Sequence, residues 1–285
     1  MSKNLKTRVE TDSLGEIKVP KDALWGAQTQ RAIENFPISG IKFKFPFGRS
    51  FLKALGVIKY SAAIANNYLG ILSNKKSDAI KSAAKKVING DVDDHFPIDI
   101  FQTGSGTSTN MNANEVIANL ASAKLKDQIS PNDEVNMSQS SNDTIPTAIC
   151  ISALLDMKEL LLPGLDVLIK EIDKKEAKLK GVVKTGRTHL MDAMPIEFSQ
   201  ELSAWSAQLR GCKNSLNYSF KRLSELPQGG TAIGTGINSH KDFPNVFGEG
   251  NRGRVGTGKG RVSTVGLYNK FIKPYGWLNS LYSLA

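Results

Sequence analysis

The stretch from Pro146 to Lys180 constrains this chain most. Leu154, Leu155, Leu161, Leu162, Leu165, Leu168, Ile169 and Ile172 spread over one wide helical face. The spacing predicts a helix far longer than an ordinary globular one, with Pro163-Gly164 as its kink. So broad an apolar face has to be covered by other long helices, and a second long pattern runs from Ser199 to about Leu226. The chain is therefore expected to be mainly α, with a long-helix bundle at its centre. Between the two patterns lies Lys184–Trp205. Here a polar turn, Gly186-Arg187-Thr188-His189, is expected between helices. The first closes near Lys180-Gly181. The second opens at Pro195 and carries Ile196, Phe198, Leu202 and Trp205 at helical spacing. His189 would then sit at the mouth of a helix pair.

The earlier chain is mixed. Arg8–Pro20 reads as two short strands around Ser13-Leu14-Gly15, followed by a short helix and a Pro/Gly exit. Phe51–Leu72 is a strong helix, and Ser77–Asn89 is a second one, ended by Gly90. The acidic run Asp91–Asp94 is read as a solvated loop rather than a metal site. No apolar run is long enough for a membrane span, and the first residues lack a secretory core. Cys150 and Cys212 have no metal-ligand spacing, which suits a reduced, cytoplasmic protein. The formal net charge is +10, but six Lys/Arg and no acid fall in residues 251–285, leaving 31 basic against 27 acidic side chains elsewhere. The excess is largely a property of the tail, so no nucleic-acid-binding face is indicated.

Two further stretches carry chemistry. In Phe101–Asn114, Gly104 and Gly106 allow close backbone approach, while Ser105, Thr107, Ser108 and Thr109 supply hydroxyls before a helix expected over Asn114–Leu125. Such a loop offers N–H groups and a positive dipole end to an anion; a plain capped turn uses the same residues. In Ser130–Thr147, Ser140, Ser141 and Asn142 place donors at the next helix entrance. Pro227–Asn238 is a third Gly/Thr-rich loop. No dinucleotide or Walker pattern occurs.

Taken in order, GSGTSTNMNANEVIANLA, SQSSNDTIPTA, GRTHLMDAMP and GGTAIGTGIN resemble the class II fumarases of the aspartase/fumarase lyase superfamily. The resemblance runs from about Arg8 to Gly250. It implies a mainly α fumarase/aspartase-like fold, with an N-terminal lyase domain over 1–144 and a partial central helical-bundle domain over 145–250. It implies a homotetramer of the tricarboxylic acid cycle whose sites draw loops from three subunits. The reaction would be reversible hydration of fumarate to (S)-malate, without metal or organic cofactor. On that resemblance His189 is the acid/base partner, and Ser105, Gly106, Thr107, Ser140, Ser141, Asn142 and Thr188 bind the dicarboxylate. Aspartases usually carry Gln at the position of His189 and S-T-N-D where this chain has Ser140–Asp143, so fumarase is favoured over an aspartate ammonia-lyase. A non-catalytic helical fragment is the remaining alternative.

Two departures from the family follow. Ser130-Pro131-Asn132-Asp133 stands where the family often has His-Pro-Asn-Asp at a secondary dicarboxylate site, so the imidazole is missing there. After Gly250 the sequence has six glycines and no acid, and lacks the G-S-S-x-M-P-x-K-x-N loop that bears the family's base serine. Residues 251–285 are thus expected to be an aberrant basic tail on a truncated chain, inactive alone.

Overall fold

The computed structural model describes residues 6–41, 49–248 and 262–263. The expectations for the tail over 251–285 lie outside the described residues, apart from Val262 and Ser263. The chain divides into two compact units, one from Met1–Ser152 with Ser224–Ala285 and one from Ala153–Leu223.

The first unit opens on an antiparallel hairpin, β1 (Thr7–Asp12) and β2 (Gly15–Pro20), paired from Thr7↔Pro20 to Asp12↔Gly15. Gly15 turns the chain at φ +104. The short helix α1 (Ala27–Asn35) has no side-chain cap of its own. The buried Glu115 carboxylate supplies one instead, accepting the N–H of Gly26 at 2.9 Å, Gln28 at 2.8 Å and Thr29 at 3.1 Å. A carboxylate suits those orphan donors and the positive end of the helix dipole.

The core is built by α2 (Ser50–Tyr68), α3 (Asn74–Asn89) and α4 (Thr107–Leu125). Leu52, Leu55, Ile58, Ile80, Val87, Val116 and Ile117 are fully buried there. Helix α3 ends as expected on Gly90, which adopts φ +92. Arg49 closes the same end by donating to the carbonyls of Val87 and Ile88. It also grips Asp93 of the acidic run at 2.7 Å. Asp99 is a second buried clasp, accepting Ser39 N–H and Gly40 N–H at 2.8 Å each and Phe101 N–H at 2.9 Å.

Helix α5 (Ser141–Asp156) starts five residues before the expected Pro146, which lies inside its first turns. The long helix foreseen over Pro146–Lys180 is observed: helical backbone runs from Ser141 to Lys178, with a wide π-type turn at Met157–Leu161 between α5 and α6 (Leu162–Lys178), just before Pro163. Proline has no N–H for an interior helical bond, and the wider turn before it is where the helix accommodates that loss.

In the second unit α6 packs on α7 (Phe198–Leu223). Between them the expected polar turn is a β-hairpin, β3 (Val183–Thr188) and β4 (Met191–Glu197). Pro195 pairs with Thr185 inside the hairpin instead of opening a helix. Each strand of a two-stranded ribbon keeps one unpaired edge, so a residue without an N–H is tolerated. Chain return to the first unit gives β5 (Glu225–Leu226), the short α8 (Phe243–Phe247), whose Phe243 and Phe247 are buried, and β6 (Val262–Ser263), which pairs with β5.

Burial opposes the charge on Asp99, yet the N–H groups of Phe101, Ser39 and Gly40 with the Ser39 hydroxyl hold its carboxyl down to about 2. An unfolded carboxyl titrates at 3.8. The stabilisation is thus complete above the unfolded value and is lost as the pH falls through the folded one. Asp99→Asn is expected to flatten the acid limb of stability, read by urea unfolding from about pH 5 to about pH 2. Equal slopes for both proteins would refute the clasp.

Candidate active site

The first-loop residues owe their placement to a side-chain frame. Gln102 accepts Thr109 N–H at 2.9 Å and donates to Thr109 Oγ1 at 2.8 Å. Thr103 Oγ1 accepts Ser108 N–H at 3.2 Å. These bonds let α4 begin at Thr107, seven residues before the expected Asn114. Gly106 is its N-cap at φ +68, in the left-handed region. Ser105 is exposed, and its hydroxyl lies 2.9 Å from Thr107 Oγ1.

The second loop converges on the first. Ser141 Oγ accepts from Nδ2 of Asn110, one turn into α4, at 3.0 Å. A Cβ placed on Gly106 would come within 3.0 Å of Ile145 Cγ1 on α5. Ser140 Oγ accepts Asn142 N–H at 3.2 Å. The Gly/Thr-rich stretch 227–238 joins them: Asn142 Nδ2 donates to Ala232 O at 2.7 Å. The buried Asp143 carboxylate accepts Ser140, Gly229 and Thr231 N–H, each at 2.9 Å. Burial pushes the Asp143 carboxyl up, against those donors and Lys59. Ser105, Gly106, Thr107, Ser140, Ser141 and Asn142 are thereby gathered at two helix N-termini beside a buried support; Ser141 is itself buried and the other five are exposed or half-buried.

Sequence reasoning missed that support. Lys59 on α2 is fully buried and donates to Asn110 Oδ1 at 2.8 Å, Asn136 Oδ1 at 3.0 Å and Gln139 Oε1 at 3.0 Å. Burial pulls its ammonium down to about 7, while the Asp143 charge resists. A lysine in the middle of an otherwise apolar stripe was the signal available in the sequence.

Thr188 and His189 belong to the second unit. His189 and Leu190 form the two-residue tip between the paired Thr188 and Met191. Both are left-handed, at φ +50 and φ +62, and both are exposed. Such a tip normally takes Asn-Gly; a bulky Leu there is strained by roughly 1–2 kcal/mol. Backbone strain of this kind is more common at functional sites than elsewhere. Gly186 lies at an irregularity of the hairpin register, and a Cβ there would sit 2.7 Å from Met194 O. At the base Lys184 pairs with Glu201 and lies over the Phe198 ring at 5.1 Å.

At the other proposed position, Ser130 caps a short turn and its hydroxyl donates to Asp133 Oδ2 at 2.8 Å. Ser130, Pro131 and Asn132 border a cavity of about 670 Å³, also walled by Glu10, Asp12, Glu115, Asp127 and Lys126. Among the described residues no group of three or more His, Cys, Asp or Glu side chains could hold a metal ion, and no helix is long and apolar enough to cross a membrane.

The family profile described as Lyase matches residues 15–250. The chain belongs to that lyase family. A class II fumarate hydratase of Xylella fastidiosa is 56% identical over 243 residues, 85% of this chain and 50% of the relative. One from Halobacterium salinarum is 54% identical over 244 residues, 84% of this chain and 51% of the relative. The class II fumarase structure from Schistosoma mansoni superposes with a TM-score of 0.81 at 40% identity, covering 85% of this chain and 52% of that one. The mainly helical fumarase-like fold expected of this lyase-family chain is thus observed. The chain spans about half the length of the curated relatives it matches.

Gly106→Ala forces a Cβ into the left-handed region and against Ile145. We expect a loss of about 1–2 kcal/mol in urea unfolding. An unchanged midpoint would show that the two loops are not held in contact here.

Proposed function

We propose that this protein is a fumarate hydratase that interconverts fumarate and (S)-malate. The observation that carries the reading is the clasp of Ser140–Asn142 to the Thr107 helix start through Asn110, in a chain 56% identical to a class II fumarate hydratase. A dicarboxylate requires fixed donors, and Ser105, Gly106, Thr107, Ser140, Ser141 and Asn142 offer hydroxyl, amide and N–H groups at two positive helix ends. Thr188 is read as a further donor.

His189 is read as the acid/base partner. Imidazole is the side chain suited to giving and taking a proton near neutral pH, which is what exchange with a bound water requires. In the malate-to-fumarate direction the carbon-bound proton goes to a base, a role the resemblance gives to the serine of the G-S-S-x-M-P-x-K-x-N loop that these residues lack, and negative charge builds on the neighbouring carboxylate. Donors already aimed at that carboxylate lower the barrier, typically by about 2.7–4 kcal/mol each. No protein-held cofactor is needed for this route.

The wider reading places the enzyme in the cytoplasm and the tricarboxylic acid cycle as a homotetramer, with an N-terminal domain over 1–144 and a helical domain over 145–250. Exposed Leu160, Val167, Leu168, Trp205 and Tyr218 in the second unit favour burial against partner helices. At the secondary dicarboxylate position, Ser130–Asp133, the cavity wall carries four carboxylates against one lysine, a balance that opposes a dianion.

In the assembled protein, His189→Asn is expected to lower kcat by about 10²–10⁴-fold with little change in KM. Thr107→Val and Asn142→Ala are each expected to weaken fumarate binding by about 1–3 kcal/mol. Fumarate consumption in water, with an ammonia arm for the aspartate ammonia-lyase alternative, measures all three. A kcat loss under about threefold for His189→Asn would remove the acid/base role.

A further inference from the structure

Lys59 is costly where it stands. It is fully buried, on a helix that also buries Leu55, Ile58, Ala62 and Ala63, and its three hydrogen-bond acceptors are all neutral amide oxygens. An apolar side chain of similar length would avoid burying a charge, but would leave the Asn110 and Gln139 oxygens without this donor. What the ammonium gives in return is orientation. Three N–H groups meet three oxygens, so the amide oxygens of Asn110, Asn136 and Gln139 are all compelled to face Lys59.

The consequence runs outward through Asn110. With its oxygen held by Lys59, its Nδ2 is left to donate to Ser141 Oγ at 3.0 Å and to Asn136 Oδ1 at 3.2 Å. Ser141 thus accepts from behind, and its own hydroxyl proton is free to point away from the support. Without Lys59 the Asn110 amide is free to turn over. Its oxygen would then take the Ser141 proton, and Ser141 would present lone pairs where it had presented a donor. The same helix also holds the loop backbone, since Asn66 Nδ2 donates to Met137 O at 3.0 Å.

We propose that Lys59 is a positioning residue that fixes Ser141 as a hydrogen-bond donor toward the substrate carboxylate, acting through the Asn110 amide. This rests on the reading of Ser141 as a substrate contact. It assigns Lys59 no contact with substrate and no part in proton transfer.

A double-mutant cycle tests it, because coupling through a shared network appears as non-additivity. Fumarate affinity of the assembled protein is measured below neutral pH for wild type, Lys59→Met, Ser141→Ala and the double variant. Ser141→Ala is expected to weaken binding about tenfold in the wild type and by less than about twofold beside Lys59→Met. Equal losses in both backgrounds would overturn the proposal. If Lys59→Met does not fold, Asn110→Ala breaks the same relay while leaving Lys59 two partners, and additivity with Ser141→Ala would again overturn it.

Hydrogen exchange separates this from the functional reading. Backbone amides of residues 136–142 are expected to exchange about tenfold faster in Lys59→Met, with those of Val116–Ala121 unchanged. That result supports the positioning role even if the wild type binds no fumarate, which would instead refute the proposed activity. Unchanged exchange at 136–142, or equal acceleration throughout the core, would overturn the positioning role whatever the protein binds.

Discussion

The carboxylate of Asp143 is the point on which the first unit's loops depend. It takes one N–H from Ser140 and two from the 229–231 stretch, more than eighty residues further along the chain. Each donor would otherwise be a buried polar group without a partner, at a cost of roughly 1–3 kcal/mol. Meeting all three at one carboxylate fixes where α5 begins and where the Gly/Thr-rich stretch lies. Gly229, at φ +95 and tight against Pro244, shows how little room that arrangement leaves. Lys59 adds the opposite charge to the same buried region, linked to it by amides and not by an ion pair.

Around this support the unit follows one rule: loops and helix ends are held by side chains that reach them from segments distant in sequence. Glu115 closes α1, Asp99 clasps Ser39 and Gly40, and Arg49 closes α3. Backbone donors and acceptors at helix ends have to be satisfied somewhere. Here a set of charged groups does this from within, leaving the hydroxyls of Ser105 and Thr107 and the amide of Asn142 on the outside. The polar groups left at the surface are a consequence of where the buried ones are spent.

Much of the fold was legible in the sequence. The β1–β2 hairpin, helices α2 and α3 with their terminal Gly90, and the two long helices read directly from periodicity and punctuation. The early start of α4 did not, because Ser108, Thr109, Asn110, Asn112 and Asn114 look like a loop. All five are buried and hydrogen-bonded to other polar side chains or backbone, a use that hydrophobic periodicity cannot register. The β3–β4 hairpin escaped for a different reason: Pro195 suggests a helix start, and only the pairing across the ribbon reveals a strand. Ordered motifs located the loops carrying Thr107, Asn142 and His189. They gave no hint of Lys59, whose role comes from contacts with residues 51, 77 and 80 positions away.

The cap on α1 carries a consequence for the order in which this chain is made. Helix α1 has nine residues, too few to persist alone in water, and its first N–H groups wait for Glu115, which is 86–89 residues later. During synthesis the β1–β2 hairpin can pair as soon as it emerges, because its contacts are local. The segment after it has no cap until the middle of α4 has left the ribosome. The α1 segment is therefore left without protection until the middle of α4 exists, although it is made well before it.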